Sequence, residues 1–281
     1  MYQTRYKPIQ RLMFFWLLLI FLLWSLLPVF WTIRMSIMHK VDAFTLPPPL
    51  VFETTLNHYG DIFSKTFFGG RFFHYFFNST TIASGATILS VALGSLGGYS
   101  LSRFKFRGDK FLAFSVIASR MMPPIAFAIP LFFLIRGWKI YDTHICLIVI
   151  YTAFHAPFAT WMMKGFFDEI PIHVEEAAMV DGCSRLGAFL RTTLPLSAPG
   201  FAATAVYNFI LSWNEFLFAL MFTSVKAKTL PVAAVELIGE AGVEWGPMAA
   251  MGTVSVLPAI IFTLTSQRYL VRGLTLGAVK G

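Results

Sequence analysis

Six long apolar segments with almost no charge constrain the fold of this chain more than any other feature of its sequence. A helix needs about 20 apolar residues to cross a bilayer, because the hydrocarbon core is about 30 Å thick and each residue rises about 1.5 Å. Only Arg120, Glu215 and a protonated His155 bring charge into these segments. We therefore predict an all-α integral membrane fold with six transmembrane helices, at about residues 12–33, 75–101, 111–135, 145–163, 195–222 and 247–267.

The composition agrees with a membrane protein. Of 281 residues, 57% are hydrophobic and 13% are charged, whereas a soluble domain has about 25% charged residues. The net charge of +8 does not indicate nucleic-acid binding, because the basic residues are spread among the connecting segments instead of being gathered on one face. In a membrane protein such residues set the orientation and contact lipid headgroups.

Lysine and arginine positions predict how the chain is oriented. Of 22 such residues, 13 fall in the terminal arms and in the second and fourth connections, and 8 fall in the other connections. Because cytoplasmic segments carry the basic excess, we predict a multi-pass protein of a bacterial cytoplasmic (inner) membrane with both termini in the cytoplasm. The predicted organisation is an N-terminal arm at 1–11, a transmembrane domain at 12–267 with a cytoplasmic loop at 164–193, and a C-terminal tail at 268–281.

The two cysteines follow from this orientation. Cys146 is predicted near the outer surface and Cys183 in the cytoplasm, and the pair lacks metal-ligand spacing. Neither a disulfide nor a metal site is therefore expected.

The cytoplasmic loop before the fifth segment has the pattern of two short helices that meet at a glycine. Pro171 suits a first helical turn, where its missing N–H costs nothing. Glu175 and Glu176 follow near the positive end of that helix dipole. Gly182 can adopt the left-handed conformation that ends a helix, and Ser184 can cap the second helix.

A helix lying on the lipid surface is the alternative for this loop. Such helices usually carry lysine and arginine on their polar face. Residues 168–181 instead carry five acidic side chains and no lysine or arginine. This charge pattern favours a docking element over a lipid-bound one.

The loop resembles the one by which permease subunits of bacterial ABC importers engage their ATPases. That pattern is E-A-A, three residues, G, nine residues, I, one residue and L-P; Thr192 stands at the isoleucine position and every other position matches. The resemblance implies a coupling-helix loop. The residues it assigns to ATPase coupling are Glu175, Glu176, Ala177, Ala178, Asp181, Gly182, Phe189, Leu194 and Pro195.

Further motifs extend the resemblance over about residues 75–281. They resemble the smaller permease subunit of carbohydrate importers of the maltose-transporter type, and they are Arg103-Phe104, Met122-Pro123-Pro124, Ile129-Pro130-Leu131, Trp213-Asn214-Glu215-Phe216, Thr229-Leu230-Pro231 and Gly277-Ala278-Val279-Lys280-Gly281. The resemblance implies a heterodimer with a second permease subunit, two ATPase subunits, a periplasmic or surface solute-binding protein, and a sugar, glycoside or polyol as substrate. It also implies that Val279, Lys280 and Gly281 contact the ATPases.

The chain is not expected to be an enzyme. A P-loop requires G-x-x-x-x-G-K-[ST] to cradle phosphates, and no Gly-Lys pair occurs in the sequence. No Ser/His/Asp or Cys/His arrangement is convincing either. We therefore expect that this chain binds no cofactor and that partner subunits use the ATP and Mg.

Polar residues within the predicted spans are candidates for the translocation path, because they are costly in lipid and usually face a cavity or a partner. Glu215, beside Trp213 and Asn214, could bind a sugar, or it could pair with a basic residue or cap a broken helix. The other candidates could line the path or bond between helices; they are Asn78, Thr81, Tyr207 and Asn208.

Two further intramembrane residues are interpreted as structural. Arg120 precedes Pro123 and Pro124, which are expected to break the third span and free carbonyl groups. The arginine can satisfy those carbonyls or pair with an acidic residue. His155 is interpreted as a hydrogen-bonded core residue.

Two other functions also fit this sequence. An ABC importer could carry a phosphate ester or an amino acid in place of a carbohydrate. A passive channel or a secondary transporter would need no ATPase, and the loop around Glu176 and Gly182 would then have no role. Copurification with ATPase subunits separates the channel from the importer, and ligand profiling of the binding protein identifies the substrate class.

Overall fold

The structure, a computed structural model, describes residues 8–239 and 242–277, and these are mostly helical. The helices are α1 (Pro8–Ser36), α2 (Lys40–Ala43), α3 (Asn57–Phe63), α4 (Lys65–Phe68), α5 (Phe72–Arg103), α6 (Asp109–Ala118), α7 (Ala128–Gly137), α8 (His144–Glu169), α9 (His173–Val180), α10 (Arg185–Ala188), α11 (Leu194–Leu196), α12 (Ala198–Trp213), α13 (Leu217–Phe222), α14 (Leu230–Ala234) and α15 (Trp245–Gly277). Strands β1 (Ile238–Gly239) and β2 (Gly242–Val243) form a small antiparallel hairpin. The predicted all-α membrane fold is confirmed, with this hairpin as its one strand pair within the described residues.

Four helices are long and apolar enough to cross a membrane by themselves, namely Gln10–Ser36, Phe72–Arg103, His144–Glu169 and Trp245–Gln267. Two pairs of shorter helices reach the same length and hydropathy together but are bent. The bend is 91° between Asp109–Met121 and Pro124–Gly137, and 71° between Arg185–Leu196 and Ala198–Trp213. The described residues thus contain six spans if each bent pair is counted as one.

The two bends have a local cause in proline. Met122 and Pro123 are extended between two short 3-10 turns, as the Pro123-Pro124 pair predicts, because proline removes a helical hydrogen bond. The fifth predicted span, 195–222, is not the single continuous helix that was predicted. It bends where Pro199 opens α12, and it is interrupted again at 214–216.

The first residues of the predicted cytoplasmic loop are helical. α8 continues to Glu169, so the loop predicted at 164–193 begins inside this helix. The residues that leave the helix and form the loop start at 170.

Contacts divide the described residues into two units, residues 72–235 with 257–277 and residues 8–71 with 236–239 and 242–256. In the first, α5 and α8 pack closely through small residues. A Cβ on Gly94 would lie 2.5 Å from the Ala159 Cβ, and one on Gly98 would lie 2.7 Å from the Lys164 nitrogen. This small-xxx-small spacing lets two helix backbones approach each other in a membrane.

The second unit contains α1 and the helices that follow it. The Tyr59 hydroxyl lies 2.7 Å from Ser36 Oγ, and His58 Nε2 lies 2.8 Å from the Met38 carbonyl oxygen. Lys40 and Glu244 form an ion pair at 2.6 Å. These contacts connect the end of α1 to α3 and to the segment before α15.

Candidate functional site

The loop that leaves α8 folds as two short helices around a left-handed glycine; we call residues 170–196 the coupling segment. α9 ends at Val180, and Gly182 has φ of +92°. The Gly182 N–H donates to the Met179 carbonyl at 3.1 Å. The Cys183 N–H donates to the Ala178 carbonyl at 3.0 Å. These two bonds form a Schellman helix end, which requires positive φ at the glycine position.

The second short helix is capped by Ser184. Its backbone is extended, with φ of −64° and ψ of 162°, and its Oγ accepts a hydrogen bond from the Gly187 N–H at 3.1 Å. The first helix begins later than expected. α9 starts at His173, and Pro171 lies before it with its carbonyl accepting from the Val174 N–H at 3.2 Å.

A buried ion pair fastens the coupling segment to the end of α5. Glu175 Oε1 accepts from Arg103 Nε at 2.7 Å, and Glu175 Oε2 accepts from the Tyr99 hydroxyl at 2.7 Å. The Arg103 side chain is 8% exposed and the Glu175 side chain is 5% exposed. Arg103 Nη2 also donates to the Ile170 carbonyl at 3.0 Å. α9 is therefore attached to a membrane-spanning helix through its first turn.

Aromatic packing reinforces this attachment. The Phe189 ring lies 4.5 Å from the Tyr99 ring and 6.0 Å from the Phe167 ring, measured between centroids. Phe189 and Phe167 are both buried. The coupling segment thus contacts α5 through α9, and it contacts both α5 and α8 through Phe189, directly after α10.

The charge state of Glu175 follows from these contacts. Burial acts to raise its pKa, but the hydrogen bonds from Arg103 and Tyr99 and the charge of Arg103 outweigh burial and hold the pKa below the usual glutamate value. A lowered folded pKa stabilises the fold above the pKa of the unfolded chain, and this stabilisation is lost as the pH falls through the folded pKa. The ion pair is therefore intact at neutral pH.

The predicted coupling residues divide between this anchor and an exposed face. Glu175 and Phe189 are buried, and Ala178 and Leu194 are half-buried. The exposed members are Glu176, Ala177, Asp181, Gly182 and Pro195. Two carboxylates thus face away from the protein, which suits a partner surface of positive potential. The predicted tail contacts, Val279, Lys280 and Gly281, lie outside the described residues.

Asn78, a predicted path residue, is buried and its side-chain amide is engaged by the protein. Its Nδ2 donates to the Lys226 and Lys228 carbonyls, both at 2.9 Å, and its Oδ1 lies 2.7 Å from His144 Nε2. The carboxylate of Asp142 holds the same loop by accepting from the backbone N–H groups of residues 224–227 at 2.9–3.1 Å. This geometry fits a structural role for Asn78 near the start of α5.

The other path candidates occupy different environments. Thr81 is exposed, and Tyr207 is 39% exposed with its ring 4.4 Å from that of Phe158. Asn208 is buried and donates to Ser90 Oγ at 3.0 Å, which joins α12 to α5. A role for these residues in the path stays a prediction.

The side chains of Trp213, Asn214 and Glu215 do not face a common surface. Trp213 is buried, with its ring 5.9 Å from Phe209 and 5.8 Å from Phe76. The Asn214 amide donates to the Ile210 carbonyl at 2.8 Å. Among the three, Glu215 is the residue that lines a cavity in the described part of the chain.

Glu215 caps the first turn of α13. Its Oε1 accepts from the Phe218 N–H at 2.9 Å and its Oε2 accepts from the Ala219 N–H at 3.1 Å, as the helix-cap alternative anticipates. The cavity beside it has a volume of about 160 Å³, and Arg120 and His155 line it as well. The sequence did not indicate that these three residues meet.

Comparison with known proteins decides the family. Residues 90–276 match the family described as the binding-protein-dependent transport system inner membrane component. The chain belongs to this family. It is a permease, and its helices fit the membrane location that the family description gives.

The permease is similar to relatives over nearly its whole length. It is 38% identical over 280 residues to the inner membrane ABC transporter permease protein YcjP of Escherichia coli, covering 99% of each chain. It is 37% identical over 261 residues to the trehalose/maltose transport system permease protein MalG of Thermococcus litoralis, covering 91% of this chain and 92% of that protein.

A solved structure supports the fold. A chain of a bacterial ABC transporter involved in the import of the acidic polysaccharide alginate superposes with a TM-score of 0.74 at 22% identity. The superposition covers 94% of this permease and 98% of that chain. The membrane fold is therefore shared.

Proposed function

We propose that this permease couples ATP hydrolysis in two partner ATPase subunits to the import of a carbohydrate. The observation that carries the proposal is the anchored coupling segment. A short helix with exposed Glu176, Ala177 and Asp181 on one side is held by a buried Arg103–Glu175 ion pair on the other. A docking element of this kind can transmit force only if it is attached to the membrane-spanning helices.

The mechanism follows from that attachment. When the ATPases close on ATP, their movement displaces the exposed face of α9. The ion pair and the aromatic contacts pass this displacement to α5 and α8, and the substrate path changes the side of the membrane to which it opens. ATP and Mg are used by the partner subunits, and the permease supplies no catalytic group.

The assembly proposed is a heterodimer with a second permease, above two ATPases and below a solute-binding protein. The name of the trehalose/maltose relative favours a carbohydrate over a phosphate ester or an amino acid. The family membership favours an importer over a passive channel. Both termini and the coupling segment are proposed to be cytoplasmic.

Uptake by the reconstituted complex tests this proposal. The permease, its partner permease, the ATPases and the binding protein are placed in proteoliposomes, and uptake of radiolabelled trehalose, maltose, other mono- and disaccharides, glycerol phosphate and amino acids is compared with and without ATP. We expect ATP-dependent uptake of a carbohydrate. Uptake only of the other solutes would refute the substrate class, and uptake independent of ATP would refute coupling.

Cysteine labelling tests the orientation. Cys146 is fully buried, whereas Cys183 is partly accessible in the coupling segment. An impermeant maleimide should therefore label Cys183 only after spheroplasts are opened, and Cys146 should give little background. Val225→Cys, at an exposed position of the opposite end, serves as the control and should be labelled in intact spheroplasts. Labelling of Cys183 from outside would invert the proposed topology.

A further inference from the structure

Two interruptions of the membrane helices open onto one cavity. The first lies at Met122-Pro123, where the backbone is extended, and the second lies at 214–216 between α12 and α13. Non-helical backbone at membrane depth is tolerated only where protein encloses it or where it lines a water-filled cavity. Here the cavity of about 160 Å³ is bounded by Arg120 and Met122 from the first interruption and by Glu215 and Leu217 from the second.

One nitrogen of the positive group in this cavity lacks an acceptor. The Arg120 guanidinium lies 5.3 Å above the centre of the Phe158 ring, which holds it in place. Within residues 8–239 and 242–277, its buried Nη1 has no hydrogen-bond acceptor. A buried donor without an acceptor is costly. A ligand oxygen that accepts a hydrogen bond from Nη1 would remove this cost.

The negative group of the cavity is fixed but not saturated. Each Glu215 oxygen accepts one backbone N–H, from Phe218 or Ala219, and a carboxylate has about four acceptor sites. One of the remaining sites faces the Tyr151 hydroxyl, and the other can accept from a ligand hydroxyl. The helix cap therefore orients Glu215 and leaves it able to bind.

Aromatic walls complete the site. Tyr151, Phe154 and Phe218 line the same cavity and supply apolar surface for the C–H groups of a ring. His155 also lines it, with Nδ1 held 3.0 Å from Ser212 Oγ. Small-molecule sites have this composition, mostly apolar with a few fixed polar groups.

We propose that this cavity is a substrate-binding site within this subunit, and that it receives one neutral, hydroxyl-rich ring of the carbohydrate. Hydroxyl groups both donate and accept, so they can accept from Arg120 and donate to Glu215 at once. An anionic ring would meet repulsion from Glu215, and a cationic one would meet repulsion from Arg120. The inference rests on the proposed function and adds the contact residues in this chain.

Uptake by variants of the reconstituted complex tests the site, with the sugar that the wild-type complex imports among trehalose, maltose and the other labelled saccharides as probe. Glu215→Gln and Arg120→Gln should each lower ATP-dependent uptake about tenfold or more, because each removes a charge-assisted hydrogen bond. Both variants should still assemble with the partner subunits. Glu215→Gln should lose some thermal stability as well, because its amide nitrogen cannot accept the second backbone N–H of the α13 cap, so Arg120→Gln is the cleaner test.

A second pair of variants leaves the charges in place. Met122→Trp should fill the cavity and block uptake to the same extent. Met121→Trp changes the neighbouring residue, which is 83% exposed, and should leave uptake unchanged.

Three results would overturn the site. Full uptake by Glu215→Gln, Arg120→Gln or Met122→Trp would show that no sugar binds there. Restored uptake in the exchanged pair Arg120→Glu with Glu215→Arg would show a structural ion pair. Loss of assembly or of thermal stability in proportion to the loss of uptake would show a structural role only. A wild-type complex that imports no saccharide would instead refute the proposed function.

Discussion

Replacing Glu175 with glutamine is expected to detach the coupling segment, whereas replacing its neighbour Glu176 is expected to leave the fold intact. Glu175→Gln removes the charge that balances buried Arg103. Removing one partner of a buried ion pair costs about 3–5 kcal/mol, because the other charge stays buried and unmatched. Glu176 is exposed, and exposed charges contribute about 1 kcal/mol or less to stability.

The two variants should therefore differ in what they lose. Glu175→Gln should lower the melting temperature of the purified permease and also the amount of ATPase that copurifies with it. Glu176→Gln should keep the wild-type melting temperature and weaken only the association with the ATPase. Equal melting temperatures for both variants would show that the ion pair does not anchor the segment.

A bulky residue at position 182 is expected to abolish transport without unfolding the membrane helices. Gly182 has φ of +92°, and a non-glycine residue held in such a conformation costs about 1–3 kcal/mol, more for a β-branched side chain. A Cβ at this position would meet no atom within 4 Å. The cost of Gly182→Val is therefore confined to the turn, which should relax and change the angle between α9 and α10.

Uptake and transport-linked ATP hydrolysis in the assembled complex measure this effect. We expect Gly182→Val to reach the membrane in normal amounts and to lose most of both activities. Gly182→Asn is the matched control, because asparagine tolerates positive φ better than other side chains, and it should retain much of both. Normal uptake by Gly182→Val would remove the turn from the coupling mechanism.

Local sequence patterns predicted the parts of the coupling segment that depend on neighbouring residues. The glycine end of α9 and the Ser184 cap of α10 are set by contacts three to five residues away. The ion pair could not be predicted in the same way. Arg103 and Glu175 lie 72 residues apart, and the pattern supplied only an arginine at a helix end and two adjacent glutamates with no means of choosing between them.

In the membrane region, too, features set by neighbouring residues were predicted and features set by the packing of distant helices were not. Hydropathy predicted the apolar segments, and the Pro123-Pro124 pair predicted the break in the third one. The interruption at 214–216 was anticipated only as one of three alternatives for Glu215, because no proline marks it. The shared cavity of Arg120 and Glu215 was not predicted, since it depends on how two broken helices pack.

The central claim is that the exposed face of α9 contacts the ATPase, and photocrosslinking from that face tests it most directly. Ala177 is exposed, so Ala177→Cys in a Cys183→Ser background can carry a benzophenone maleimide in the assembled, ATP-hydrolysing complex. We predict an adduct whose mass and peptides are those of the permease joined to its ATPase subunit, and no such adduct from the control Val225→Cys. An active complex in which position 177 never crosslinks to the ATPase would contradict the claim.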